Sequence, residues 1–151
     1  MHRVILILGL SCSATLSGCT DTGVTDPDLS LFKLAVTTDQ SSYVLPTDSL
    51  ALVTLTNLSD QPIFLPMDSY VVYERLRDGE WRDAFAWFVV DGFGRSFPIA
   101  SGASNTDVLR LWFYLPDSPG TYRFRYYAYA DPALEHLLPL AERVSAPFEL
   151  R

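Results

Sequence analysis

The chain is poor in the residues that carry most enzyme chemistry. Its 151 residues include two cysteines and two histidines. Cys12, Cys19 and His2 all stand within the first twenty residues, so from Thr20 onward there is no thiol and a single imidazole, His136. The lack of thiols there excludes a disulfide, a thiol nucleophile, a cysteine zinc site and haem attachment together. One imidazole cannot build a His-rich metal centre. Lysine is reduced to Lys33. There is no P-loop and no dinucleotide fingerprint. Gly102-Ala103-Ser104 begins a nucleophile elbow, but Thr106 stands where its second glycine belongs. These absences predict a non-enzymatic protein with no catalytic residues, no cofactor and no metal.

Positive charge is scarce as well. Eleven basic residues face eighteen acidic ones, a net charge of −7. Such a field repels phosphate backbones, so no nucleic-acid partner is expected.

What is present begins with a leader. Met1-His2-Arg3 is a short basic start, Val4 to Leu10 is apolar, and small residues follow before Cys19. That order reads as an export signal, too short to remain as a membrane-spanning helix. Leu16-Ser17-Gly18-Cys19 resembles the lipobox of bacterial lipoproteins, whereas Cys12 is disfavoured because Gly9 stands where an apolar residue belongs. The resemblance implies that residues 1–18 are removed and that Cys19 becomes a lipidated N-terminus held in the membrane. Each buried CH₂ contributes about 0.8 kcal/mol, so two or three acyl chains such as palmitate make a lasting anchor. Loss of Arg3 with the leader leaves ten basic residues against eighteen acidic ones, a net charge of −8. The family's sorting tendency, with Thr20 rather than Asp after the cysteine, implies a bacterial cell-envelope protein at the outer membrane.

Residues 19–30 read as a solvated tether carrying Asp21, Asp26 and Asp28, whose spacing misses the EF-hand loop. From residue 31 to 151 the pattern is short β-type runs cut by turns. Leu31 to Thr37 opens the series, with Tyr43-Val44-Leu45 as its extension. Ser49 to Asn57 predicts Ala51, Val53 and Leu55 inward, with Thr54 and Thr56 on the wetter face. Pro62 to Leu65 is a short strand. Tyr70 to Arg77 and Trp81 to Val90 form a hairpin about Asp78-Gly79-Glu80, whose Glu74, Glu80 and Asp83 are expected to pair across strands with Arg75, Arg77 and Arg82. Phe97-Pro98-Ile99 suggests an edge strand. The apolar run from Asp107 to Leu115 suggests a central one. In Thr121 to Tyr126, Tyr122, Phe124 and Tyr126 should point inward and Arg123 and Arg125 outward. Asp131 to Leu140 reads as one or two helical turns, with His136 a surface histidine of that loop, and Glu142 to Leu150 as the last strand.

Seven to nine strands at this spacing predict an all-β, antiparallel sandwich. Val53 to Asp60, Asp78-Gly79-Glu80-Trp81 and Pro119 to Arg123 resemble the signatures of bacterial Ig-like domains of exported lipoproteins. That resemblance implies an Ig-like binding or structural domain without the paired cysteines of antibodies. Two alternatives are kept beside it. One is a glycan-binding module whose ligand face is the stripe Arg123, Arg125, Tyr127 and Tyr129, within an aromatic set that includes Trp81, Trp87 and Trp112. The other is a protease inhibitor acting through the turn from Asp91 to Arg95. The expected partners are the membrane, through the lipid on Cys19, and a protein or glycan.

Overall fold

The computed structural model describes residues 26–67, 71–86, 95–111 and 119–151. Cys19, the tether before Asp26, Trp87, Trp112 and the turn at residues 91–94 lie outside them.

Ten strands are described: β1 (Leu34–Thr38), β2 (Ser42–Tyr43), β3 (Leu50–Asn57), β4 (Ile63–Pro66), β5 (Val71–Arg77), β6 (Glu80–Ala86), β7 (Ser96–Ile99), β8 (Ser104–Arg110), β9 (Gly120–Tyr126) and β10 (Phe148–Leu150). The protein is all-β, and two three-residue 3-10 turns lie at Leu29–Leu31 and Leu140–Glu142. One sheet has the order β1-β3-β8, a second β2-β10-β9-β5-β6, and a third pairs β4 with β7. All pairings are antiparallel except that of β2 with β10.

Alternation in β3 buries Ala51, Val53 and Leu55 completely, as their β-branched and apolar run requires. Alternation in β9 does the same for Tyr122, Phe124 and Tyr126. Together with Ile63, Leu65, Tyr73, Ile99, Phe148 and Leu150 they form one apolar cluster drawn from all three sheets. Aromatic rings fill its middle: Tyr73 meets Phe124 edge-on at 5.1 Å, Tyr43 meets Phe148 at 5.3 Å, and Phe124 lies 4.8 Å from Phe148. Edge-to-face and offset contacts of this kind add to the area they bury. The hairpin β5–β6 turns on Asp78 and Gly79, with φ of 53° and 82°. Positive φ at both central positions matches the right-handed twist of the strands, and Gly79 takes it without steric cost.

Asn57 ends β3 without exposure to solvent. Its amide donates to the carbonyls of Gln61 (2.8 Å) and Ile99 (2.9 Å), and its oxygen accepts from the Ser59 amide (2.9 Å). All three bonds are satisfied internally, as burial of a polar side chain demands.

Several expectations change. Tyr43 does not extend the first strand: β2 crosses to the other large sheet, where Tyr43 pairs with Leu150. Strand β8 begins at Ser104 and ends the order of its sheet, pairing only with β3 among the described residues. Its outer face leaves Val108 exposed opposite Leu52. The last strand shrinks to Phe148–Leu150, because Pro147 lacks the amide a ladder needs. Residues 131–139 form no helix, for a reason given below.

Packing dictates one outcome. Phe124→Ala should lower unfolding free energy by about 3–5 kcal/mol, read from urea midpoints, whereas Val108→Ala should change it by less than about 0.5 kcal/mol. Equal losses would contradict this assignment of inner and outer faces.

Candidate functional site

The arginines of β9 sit opposite β5, where Glu74 is the register partner of Arg123. Glu74 Oε2 accepts from Arg123 Nε at 2.6 Å and Oε1 from Arg125 Nε at 2.7 Å, while Arg125 Nη2 donates to Asp83 at 2.8 Å. Two guanidinium groups are thus balanced by two carboxylates. The guanidinium of Arg123 also stacks on Trp81 at 4.3 Å, and that of Arg125 lies 5.7 Å from the Tyr127 ring. Burial disfavours the charge on Arg125, but the hydrogen bonds to Asp83 and Glu74 prevail and raise its pKa.

Glu74 therefore pairs with β9 rather than with neighbours on its own hairpin. Arg75 points to the opposite face, where Nη2 donates to the Pro119 carbonyl at 2.6 Å. Arg82 pairs with Glu80 at 3.1 Å. The structure thus brings Arg123, Arg125 and Tyr127 together on one stripe, as the spacing suggested. Tyr129 lies past the end of β9: its backbone exchanges two 2.9 Å hydrogen bonds with Phe64 of β4.

A second constellation lies in the connection from β9 to β10. Asp131 precedes Pro132, and its carboxylate gathers the amides of the loop that follows. Oδ1 accepts from Ala133 N at 2.9 Å and Oδ2 from His136 N at 2.8 Å, with Glu135 N at 3.2 Å. This side chain offers the backbone an alternative to helical bonds, which is why the expected helical turns do not form. Leu134 takes a left-handed φ of 61° within the loop. The loop is closed below by Ala130 N donating to the His136 carbonyl at 2.9 Å.

Asp131 Oδ2 also lies 3.0 Å from Nδ1 of His136. A carboxylate only accepts, so Nδ1 carries the proton. In the neutral ring Nε2 then presents a lone pair, and it faces Oδ1 of Asp26 at 3.4 Å. Two acceptors face each other there, an arrangement that requires a proton or a metal ion between them. Asp131, Glu135 and His136 each offer a ligand atom, all within 4.8 Å of one another. Composition alone suggested no metal site. An Asp-Pro pair stands five residues before the one imidazole.

The hydrogen bond to Asp131 raises the His136 pKa above 6.5, with Asp26 adding to the rise against a smaller effect of burial. Burial pulls the Asp131 carboxyl upward, but the backbone amides of His136, Glu135 and Ala133 and the His136 ring outweigh it, and its pKa falls below 3.8. A raised folded-state pKa means that the charged-imidazole contribution is present below the ordinary histidine value and is lost as pH rises through the raised one. The Asp131 contribution is the converse, present above the ordinary carboxylate range and lost as pH falls through the lowered value. In metal-free protein the His136 ring resonances should titrate above pH 6.5, and Asp131→Asn should bring the midpoint down. A midpoint unmoved by that substitution would contradict the pairing.

No protein-family model matches the sequence, and no curated protein matches it. Solved structures of similar shape include the Pseudomonas fluorescens alkylpurine DNA glycosylase AlkC bound to DNA containing an abasic site analogue. Its TM-score is 0.43 at 15% identity, over 82% of this chain and 32% of that one. Another is a mutant β-glucosidase from Listeria innocua in complex with laminaribiose, with a TM-score of 0.37 at 14% identity over 80% of this chain. The chain spans about a third and a sixth of the lengths of those proteins. The DNA-bound glycosylase corrects two expectations. The absence of a nucleic-acid partner is withdrawn, and so is the assignment as a non-enzymatic binding or structural module with its glycan-binding and inhibitor alternatives. A TM-score of 0.43 gives this chain neither a DNA-binding nor a glycosylase role.

Proposed function

We propose that this chain binds a divalent cation through the loop from Asp131 to His136, carried on an Ig-like antiparallel sandwich. The observation that carries this reading is that Nε2 of His136 lies 3.4 Å from the Asp26 carboxylate while Nδ1 lies 3.0 Å from Asp131. Metal-binding histidines commonly donate their other ring N–H to a carboxylate, which fixes the tautomer and raises ligand basicity. Asp131 fills that supporting role, because its oxygens are already occupied by loop amides. Glu135, exposed on the same loop, offers a carboxylate oxygen within 4.8 Å of a His136 ring nitrogen.

The strand order supports the Ig-like part of the reading. An Ig domain sets its first, second and fifth strands in one sheet and its third, sixth and seventh in the other. The order β1-β3-β8 matches the first set, and β10-β9-β5-β6 matches the second with an added hairpin strand. The cation loop then falls in the connection between the last two strands, where variable-type domains carry one of their recognition loops.

The imidazole favours zinc or a similar transition ion over calcium or magnesium, which prefer all-oxygen sites. Titration calorimetry of chelator-treated protein with zinc chloride should give one site, and His136→Ala should abolish it. Heat unchanged in the variant, or none in the parent protein, would overturn the reading.

Location is a separate part of the proposal. Leu16-Ser17-Gly18-Cys19 supports export to the bacterial cell envelope with acylation of Cys19, at the outer membrane. Mass spectrometry of protein from its native membrane fraction should find an acylated N-terminal cysteine. An intact leader, or cleavage elsewhere, would contradict it.

A further inference from the structure

Arg143 is buried in a way that arginine seldom is without a carboxylate beside it. It is 8% exposed, and an unpaired charge is costly to bury. Among the described residues no carboxylate comes within ion-pair distance of it. Its chain neighbour Glu142 is taken by Lys33 at 3.0 Å. Burial acts first on the Arg143 pKa and lowers it, Arg125 adds to the fall, and Tyr127, Tyr129 and Glu74 stand close enough to oppose it.

The backbone around it explains how it is held. The chain returns beside the end of β9, with Leu137 bridged to Tyr129 and Val144 to Arg125. Between these two bridges the 3-10 turn Leu140–Glu142 interrupts the pairing. Arg143 closes the interruption: its Nε donates to the Leu138 carbonyl at 2.9 Å and its Nη1 to the Tyr126 carbonyl at 3.2 Å. A guanidinium carries five donors, so these two bonds fix the group without using it up. Nη2 has no acceptor among the described residues, yet it is not one of the unpartnered atoms sealed from solvent. Its donors are left for an acceptor that comes from outside.

The neighbours of Arg143 narrow the chemistry of that acceptor. Arg123 and Arg125 are matched by Glu74 and Asp83, so Arg143 brings one positive charge in excess to this group. Tyr127 and Tyr129 are both half-buried, and the Tyr129 hydroxyl makes no hydrogen bond among the described residues. We infer that Arg143 anchors a binding site for a small monocarboxylate, whose oxygens take the Nη2 donors and the Tyr129 hydroxyl while its apolar body lies against the Tyr127 and Tyr129 rings. One excess charge suits a monoanion rather than a phosphate dianion, and a planar guanidinium suits a planar carboxylate. The rings provide apolar area with a polar tip. This site stands without the cation reading above, since it uses none of the atoms on which that reading rests.

The test is a titration of the full chain with sodium benzoate at constant ionic strength, followed by NMR of the Arg143 Nε–H group and the Tyr129 ring. Both signals should shift and saturate, and inorganic phosphate should bind more weakly than benzoate. Arg143→Gln should abolish the response. Because Arg143 also holds two backbone carbonyls, a second variant keeps the test decisive if that one does not fold. Tyr129→Phe removes a single hydroxyl and should weaken benzoate binding about fivefold, the worth of one hydrogen bond. No saturable shift in the parent protein, or parent-like affinity in Tyr129→Phe, would overturn the inference. Phosphate binding more tightly than benzoate would overturn the assignment to a carboxylate.

Discussion

One carboxylate governs the part of this protein where chemistry is concentrated. Asp131 binds the amides of Ala133, Glu135 and His136 and the Nδ1 of the His136 ring. The same bonds that refuse a helix to the loop choose the imidazole tautomer. A backbone choice thereby becomes an electrostatic one, because fixing the proton on Nδ1 leaves Nε2 as an acceptor opposite Asp26. An alanine at residue 131 would leave the amides of Ala133, Glu135 and His136 and the ring without their common partner.

The packed sheets supply the frame. Its two larger sheets share an aromatic centre in which Tyr43, Tyr73, Phe124 and Phe148 are all buried. On the outside of the five-stranded sheet a second carboxylate, Glu74, holds Arg123 and Arg125. Breaking a pair this deeply set leaves charge without a partner and costs more than an exposed ion pair is worth. The stripe of arginines and aromatics is therefore internally balanced.

Local rules read well wherever the period of two governs. Ala51, Val53 and Leu55 fall inward as their alternation requires, and so do Tyr122, Phe124 and Tyr126. Asp78-Gly79 makes the hairpin turn that its composition demands. What the sequence hid is tertiary. Glu74 reaches partners 49 and 51 residues away, so no reading of its own hairpin finds them. The strand at Tyr43 changes sheets because its partner, Leu150, is the penultimate residue of the chain. The loop from Asp131 looked helical because proline bounds it on both sides, and a single aspartate outcompeted that tendency. Asp26, 110 residues before His136, likewise becomes visible as its partner only when the chain is folded.

The central claim concerns one atom, the Nε2 of His136. Crystals grown with zinc chloride and measured on both sides of the zinc absorption edge locate the ion directly. A single anomalous peak about 2.0–2.1 Å from Nε2 is the predicted result. A map with no peak there, or with zinc bound only at other carboxylates, would contradict the account.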